Sequence, residues 1–163
     1  MAEPGNKLFI SWTEYHDIVN EIVDQVKKSG FSPEVVVGIA RGGLIPGVQL
    51  SNVLDTEFGI LWFARCSSNN AAFSLPSDKS ITIEGKILKN IPEKKVLLVD
   101  DIVDEGVTKE VAVGILKDMK AKEVRFACLF VNGKRQKRDC VDYCSRVTKG
   151  AWVVFPWEKK EEA

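Results

Sequence analysis

One segment constrains the fold of this chain more than any other: an apolar stretch that ends in two acids and leads through a glycine loop into a helix. Residues 96–99 read Val-Leu-Leu-Val, Asp100 and Asp101 follow directly, and Gly106 precedes an amphipathic stretch. A short apolar run of this kind predicts a strand buried on both faces of a sheet. Because ligands of open α/β sheets bind beyond the carboxyl ends of the strands, the same segment predicts a binding site.

The order of the other elements predicts the fold class. A capping-box sequence at residues 11–14 precedes apolar residues at helical spacing, and a glycine-bounded apolar run at residues 35–39 predicts another buried strand. Further strands are predicted at residues 58–64, 81–88, 95–99, 123–131 and 152–155, and further helices at residues 44–54 and after residue 108. Strands that alternate with helices predict an α/β fold with a doubly wound, mainly parallel sheet. Without a repeat or a linker, residues 1–163 are expected to form a single domain.

Charge and composition exclude several classes of protein. Lys plus Arg equals Asp plus Glu at 23 each, so no overall field attracts nucleic acid, which we do not expect as a partner. No secretory signal is visible, and the apolar runs are too short to span a bilayer, so we expect a cytoplasmic protein without membrane contact. The four cysteines lack metal-ligand spacing and are expected to be reduced: Cys66, Cys128, Cys140 and Cys144.

The loop after the two acids carries groups that suit an anion. Backbone N–H groups at the start of a helix bind phosphate, and Gly106 allows the backbone to approach it closely. The Thr108 hydroxyl can donate to a phosphate oxygen. Asp100 and Asp101 are costly to bury together unless they meet hydroxyls or a cation. A sugar phosphate offers hydroxyls at one end and a phosphate at the other, so it matches both features.

Three motifs in order resemble those of the type I phosphoribosyltransferases. Residues 96–108 resemble the signature that binds phosphoribosyl pyrophosphate (PRPP), in which two acids follow a strand and precede Asp-Thr-Gly-x-Thr. Residues 38–47 resemble the pyrophosphate loop of the family, and residues 152–158 resemble the C-terminal segment of its xanthine-guanine and hypoxanthine branch. The resemblance implies the Rossmann-like fold of this family, with a small hood formed by the terminal segments.

The resemblance also implies a role for each motif. Asp100 and Asp101 would hold the ribose hydroxyls of PRPP, directly or through Mg²⁺, the implied cofactor. Asp104 would lie near the N7 edge of a purine and act as the general base. Residues 66–80 would form a mobile flap over the site. The other implied positions are a phosphate loop of Asp104, Glu105, Gly106, Val107 and Thr108, a pyrophosphate loop of Ala40, Arg41, Gly42 and Gly43, and base contacts at Asn132, Lys134, Trp152 and Val153.

The implied activity is that of a purine phosphoribosyltransferase. It transfers the 5-phosphoribosyl group of PRPP to hypoxanthine or guanine, with xanthine as a further candidate, and yields a nucleoside monophosphate and pyrophosphate in purine salvage. The alternatives are adenine or another base, or a PRPP-sensing regulator without turnover. Asp104 favours the enzyme, because a sensor has no need of a base beside N7. The family usually forms homodimers or tetramers, so self-association is expected.

Glu105 departs from the family pattern, which usually has Thr or Ser in this place. A carboxylate within about 4 Å of a phosphate charge would cost on the order of 4 kcal/mol at an effective dielectric near 20. Either Glu105 points away and contributes only its backbone N–H, which we favour, or phosphate binding is weakened. An acid in the first turn also stabilises the helix through its dipole.

The base-reading position departs as well. The purine branch usually has a lysine where this chain has Asn132, whose amide can donate to a 6-oxo group or accept from a 6-amino group. Lys134 is a possible substitute, and Asn132-Gly133 is equally compatible with a plain tight turn. The basic run at residues 134–138 is interpreted as the solvent-exposed edge of a hairpin. The alternative is that it binds pyrophosphate, a regulatory nucleotide or RNA.

Overall fold

The computed structural model describes residues 7–65, 81–87 and 90–158, with residues 63–65 and 81–87 described by their backbone alone. The elements in chain order are β1 (Lys7–Phe9), α1 (Trp12–Lys28), β2 (Val35–Ala40), α2 (Leu44–Leu54), β3 (Glu57–Arg65), β4 (Ile81–Ile87), β5 (Lys95–Val103), α3 (Val107–Asp118), β6 (Glu123–Asn132), β7 (Tyr143–Thr148) and β8 (Trp152–Val154). Short 3-10 helices lie at Arg138–Cys140 and Pro156–Glu158. The flap predicted at residues 66–80 lies outside the described residues.

Six strands form the central sheet in the order β4-β3-β2-β5-β6-β7. Every neighbouring pair is parallel except β3 with β4, which is antiparallel. The central strand β2 and residues 96–99 of β5 are apolar and buried because helices cover both faces of the sheet. The prediction of a mainly parallel α/β sheet is therefore confirmed.

The helices divide between the two faces. One core joins buried residues of α1 and α2, among them Ile22 and Leu50, to one face of the sheet. The other core joins Ala112 and Leu116 of α3 to the opposite face. The chain moves outward from β2 to β3 on one side and from β5 to β6 on the other. The topological switch point therefore lies between β2 and β5, where a crevice at the carboxyl ends of the strands suits a ligand.

The terminal segments meet over the main sheet as the predicted hood. β1 and β8 pair in parallel, with Leu8 opposite Val153 and Phe9 opposite Val154. Ser11 and Glu14 form the predicted capping box at the start of α1, which follows β1 directly. Phe155, which follows β8, is buried against the main sheet, so this core anchors the hood.

Several boundaries differ from the predictions. β5 continues to Val103 rather than ending at residue 99, so the two acids belong to the strand itself. β1 and β7 were not predicted. β7 is an edge strand whose Arg146 and Val147 are exposed, and it therefore lacks the apolar run that identifies a buried strand. Within the described part of the chain, no helix is long and apolar enough to cross a membrane.

Candidate active site

The two glycine-bearing motifs meet at the switch point. A Cβ atom added at Gly42 would lie 2.0 Å from Asp101 Oδ2, and one added at Gly43 would lie 2.2 Å from the carbonyl oxygen of Val99. Neither position has room for a side chain. The predicted pyrophosphate loop after β2 is therefore packed directly against the acidic end of β5, although some 60 residues of sequence separate the two segments.

The pyrophosphate loop is short and held by its own backbone. Ala40 ends β2, the peptide bond between Ala40 and Arg41 is cis, and the Arg41 side chain is exposed. The Gly43 N–H donates to the Ile39 carbonyl at 2.8 Å, and the Leu44 N–H donates to the Arg41 carbonyl at 3.2 Å. α2 begins immediately afterwards, but Pro46 in its first turn has no N–H and the Leu44 N–H already donates to Arg41. This helix start therefore offers an anion fewer donors than an ordinary one does.

The two acids at the end of β5 are held by neighbouring backbone. Asp100 Oδ1 accepts from the Asp101 N–H at 2.9 Å, and Asp101 Oδ1 accepts from the Ile102 N–H at 2.7 Å. Burial raises the pKa of the Asp101 carboxyl to about 6, and the charge of Glu158 adds to the rise, while hydrogen bonds from the Ile102 backbone and from Asp100 oppose it. A carboxylate so placed is stabilised by a cation or by hydroxyl donors.

Asp100 and Asp101 are the residues whose chemistry fits Mg²⁺. The ion prefers oxygen ligands and commonly binds one or two carboxylates together with substrate phosphates and water. Among the described residues, no group of three or more His, Cys, Asp or Glu side chains is placed to hold a metal. A metal here would therefore draw part of its coordination from the substrate.

The phosphate loop joins β5 to α3. Gly106 is the N-cap of α3 with φ of 81°, a left-handed conformation that glycine adopts without strain. The N–H groups of the first turn, which include those of Val107 and Thr108, have no acceptor within the helix. Gln136 lies over this loop, with its Nε2 donating to the Glu105 carbonyl at 2.9 Å. Backbone N–H groups at such a helix start can act as donors to an anion.

Asp104 is held by side chains from the end of β6. Asn132 Nδ2 donates to Asp104 Oδ1 at 2.6 Å, and Arg135 Nη1 donates to Asp104 Oδ2 at 3.1 Å. The same Arg135 nitrogen also donates to the Glu105 carboxylate. Each of the two acidic side chains of the phosphate loop is thus directed at a donor on a neighbouring segment.

That segment is a compact turn, here called the Asn132 turn and comprising residues 132–136. Asn132 Oδ1 accepts from the Lys134 N–H at 3.2 Å, and the Asn132 carbonyl accepts from the N–H groups of Arg135 and Gln136 at 3.0 and 2.9 Å. Asn132 therefore builds the expected tight turn and also contacts Asp104, while its contact with a base stays a prediction.

The remaining predicted base contacts differ in exposure. Trp152 is 63% exposed on the hood, whereas the Val153 side chain is buried in the core and could contact a ligand only through its backbone. Lys134 is exposed, and its stem lies against Gly150, where a Cβ atom would be 2.3 Å from Lys134 Cδ.

The basic run was only partly interpreted correctly. Its lysines and arginines are exposed, but β6 and β7 are parallel, so the segment between them is not a hairpin. Arg135 and Gln136 contact the phosphate loop, and neither contact was predicted from the sequence. Their signal was indirect: an unusual acid at Glu105 and a dense cluster of basic residues elsewhere in the chain.

Comparison with known proteins agrees with this arrangement. The chain matches the phosphoribosyl transferase domain family over residues 11–161. It is similar to the xanthine-guanine phosphoribosyltransferase of Gluconobacter oxydans (strain 621H), with 28% identity over 154 residues that cover 91% of this chain and 83% of that protein. The xanthine-guanine phosphoribosyltransferase of Nitratidesulfovibrio vulgaris (strain DP4) is 24% identical over 163 residues, covering 98% and 90%.

The solved structures include a similar fold. The purine phosphoribosyltransferase from Pyrococcus horikoshii matches with a TM-score of 0.81 and 28% identity, covering 98% of each chain. The doubly wound sheet with its anion-binding loops thus defines a phosphoribosyltransferase. The chain belongs to the phosphoribosyl transferase domain family, which confirms the resemblance found in its motifs.

Proposed function

We propose that this enzyme transfers the 5-phosphoribosyl group of PRPP to a 6-oxopurine, namely hypoxanthine or guanine, with xanthine as a further candidate. The products would be the nucleoside monophosphate and pyrophosphate, and the reaction would belong to purine salvage. The observation that carries this proposal is the 2.6 Å hydrogen bond from Asn132 to Asp104. It fixes the Asp104 carboxylate of the phosphate loop beside Asn132, the position at which the family resemblance implies a contact with the base.

The orientation of the Asn132 amide supports a 6-oxopurine over adenine. Its oxygen accepts from the Lys134 N–H, while its NH₂ group faces Asp104. An amide NH₂ group carries two hydrogens, and one hydrogen bond to Asp104 uses one of them. The second hydrogen suits an acceptor such as a purine O6, whereas the 6-amino group of adenine would require the oxygen instead. The xanthine-guanine specificity in the names of the two sequence relatives points the same way.

Different residues of the site would accept the proton, bind the 5-phosphate and bind the leaving group. The bond between ribose C1 and the pyrophosphate oxygen breaks, the bond between C1 and a base nitrogen forms, and Asp104 receives the proton of the base. The N–H groups at the start of α3 would bind the 5-phosphate, and the pyrophosphate loop would bind the leaving group. Preorganised dipoles of this kind stabilise the charge that develops in the transition state.

The proposed cofactor is Mg²⁺, held by Asp100 and Asp101. Bound there, the ion would neutralise the charge of the departing pyrophosphate. The protein's own contribution is to place the Asp101 carboxylate beside Gly42 of the pyrophosphate loop, where the substrate oxygens would complete the coordination. Calorimetric titration of PRPP with and without Mg²⁺ tests this assignment, because Asp100→Asn should remove most of the metal-dependent part of the affinity.

Trp152 is proposed to stack on the base. Its ring is largely exposed on the hood, so truncation should affect the base more than the fold. We also propose a cytoplasmic location and a homodimer or tetramer, both of which rest on the family resemblance. Light scattering of the purified protein tests the assembly state.

The direct test is pyrophosphate release with PRPP and Mg²⁺, using hypoxanthine, guanine, xanthine or adenine one at a time. Turnover with the 6-oxopurines and little with adenine is expected. Asp104→Asn is the matched control, since it keeps the size of the side chain and removes the proton acceptor. Turnover with adenine alone would overturn the base assignment. PRPP binding without turnover on any of the four bases would favour the PRPP-sensing alternative.

A further inference from the structure

Two acids occupy a loop that would receive a phosphate, and one arginine faces both. Arg135 Nη1 donates to the carboxylates of Asp104 and Glu105, and the Gln136 side chain donates to the backbone carbonyl of Glu105. Together with the Asn132–Asp104 hydrogen bond, the Asn132 turn therefore contacts the phosphate loop through four side-chain hydrogen bonds from three residues.

The ion pair between Arg135 and Glu105 reduces an electrostatic repulsion at this position. A carboxylate at residue 105 repels an incoming phosphate, and the first turn of α3 attracts both groups through the same backbone dipole. A guanidinium that donates to the carboxylate offsets the repulsion, and it also directs the carboxylate towards the Asn132 turn. The loop can then use the N–H groups of Gly106 and Val107 for the phosphate while it keeps its acid.

Folding stability does not account for this arrangement. The Arg135 and Glu105 side chains are 40% and 34% exposed, and the Asp104 side chain is 44% exposed. Ion pairs with this exposure contribute little to the free energy of unfolding because water screens them and because ordering two side chains costs entropy. A role in ligand binding therefore explains the contact better than a role in holding the fold.

We propose that Arg135 is a positioning residue that compensates the charge of Glu105 and so allows this phosphate loop to bind the 5-phosphate of PRPP. The inference rests on the proposed function, because it takes PRPP as the ligand of the loop. Arg135 and Glu105 act as one unit: the pair replaces the neutral hydroxyl residue that the family usually has at this position.

The test measures the dissociation constant of PRPP by calorimetry in the presence of Mg²⁺ and without any base. Arg135→Ala should weaken PRPP binding by about tenfold or more, since it removes the guanidinium that donates to the Glu105 carboxylate. Glu105→Gln should bind PRPP as tightly as the wild type or a few-fold more tightly. The double variant Glu105→Gln with Arg135→Ala should return to within about threefold of the wild type, because both charges are gone.

Two further variants sharpen the result. Lys137→Ala removes one positive charge from an exposed position two residues away, and it should change the dissociation constant less than about twofold. Arg135→Lys keeps the charge but loses the planar fork, and it should retain most of the affinity if charge is the property that matters. It also keeps the test decisive if Arg135→Ala does not fold.

The inference is overturned if Arg135→Ala binds PRPP as well as the wild type does. It is also overturned if the double variant stays as weak as Arg135→Ala, because Arg135 would then act on the ligand independently of Glu105. Failure of the proposed function looks different: the wild type would either show no PRPP binding or bind PRPP without turnover on any base, and the second result would leave these dissociation constants unchanged. Failure of the base assignment alone would leave all these dissociation constants unchanged.

Discussion

The two halves of the site are built in different ways. Around Gly42 and Asp101, backbone and carboxylate are in contact, and no space remains for even one extra methyl group. Around Asp104 and Glu105, half-exposed side chains hold the loop through hydrogen bonds and ion pairs. Close packing tolerates almost no substitution, whereas polar contacts near water can be exchanged in pairs. We therefore expect the half of the site around Gly42 and Asp101 to be fixed, in that it tolerates few substitutions. The half around Asp104 and Glu105 is expected to be adjustable, in that paired substitutions are tolerated.

The largest effect is expected from Gly42→Ala. The new methyl group would meet the Asp101 carboxylate, and the forced shift should cost about 1–3 kcal/mol of stability and lower kcat/KM by about a hundredfold or more. Thermal unfolding and pyrophosphate release measure the two effects. Gly114→Ala in α3 is the control, because nothing lies within 4 Å of the added atom, and it should stabilise the protein by about 0.5–1 kcal/mol. Equal stability and equal kcat/KM of the Gly42→Ala and Gly114→Ala variants would contradict the close packing inferred at Gly42.

A second large effect separates stability from activity in the tightly packed half. The raised pKa of Asp101, about 6 against the ordinary 3.8, means that ionisation disfavours the folded state. Its contribution to stability is present below about pH 4 and is lost as the pH rises through about 6. Without Mg²⁺ and substrate, the free energy of unfolding of Asp101→Asn at about pH 8 should therefore exceed that of the wild type by about 1–3 kcal/mol. The variant should accordingly unfold at a higher temperature.

The advantage of Asp101→Asn should shrink towards about pH 4, and the variant should lose nearly all transferase activity at any pH. Thermal unfolding across this pH range is the measurement. An Asp101→Asn protein that is less stable than the wild type at about pH 8 would show that the carboxylate is needed for the fold rather than for the ligand.

An intermediate effect is expected from Asn132→Ala in the adjustable half. Loss of the hydrogen bond to Asp104 frees that carboxylate, so kcat should fall by about tenfold to a hundredfold, while PRPP binding changes little. Steady-state kinetics with hypoxanthine, together with PRPP calorimetry, resolve the two quantities. Asn52→Ala, at an exposed position on α2, is the matched control. A loss of PRPP affinity as large as the loss of kcat would place Asn132 in the phosphate site instead.

The smallest effect concerns stability in the same half. Arg135→Ala should lower the free energy of unfolding by less than about 1 kcal/mol, because its ion pairs are exposed. Chemical denaturation measures this change. A loss of several kcal/mol would mean that the Asn132 turn holds the fold, and the division of the site into a fixed and an adjustable half would then be wrong.

The same division explains what the sequence could predict. Residues 35–39 and 96–99 are short apolar runs next to glycines and acids, so the central strands and the loops at their ends follow from local pattern. The edge strand β7 has neither a continuous apolar run nor a regular alternation of buried and exposed residues, and β1 is exposed throughout. Their pairing depends on partners far along the chain.

The contacts of the phosphate loop illustrate the other limit. Arg135 and Glu105 are thirty residues apart, and each has an ordinary local explanation, as a basic surface residue and as an acid in a first helical turn. Only the register of β5 beside β6, which pairs Val103 with Val131, brings the two segments together. Sequence pattern therefore identified the loop and its unusual acid, but not the arginine that faces it.

The central claim is that this site transfers phosphoribosyl groups to 6-oxopurines. The most direct measurement is a competition in which hypoxanthine, guanine, xanthine and adenine are present at equal concentrations with limiting PRPP and Mg²⁺, and the nucleoside monophosphates are quantified by mass spectrometry. We expect the 6-oxopurine nucleotides to dominate, with a yield that depends on Asp104. A product mixture dominated by the adenine nucleotide, or an absence of any nucleotide while PRPP binds, would contradict it.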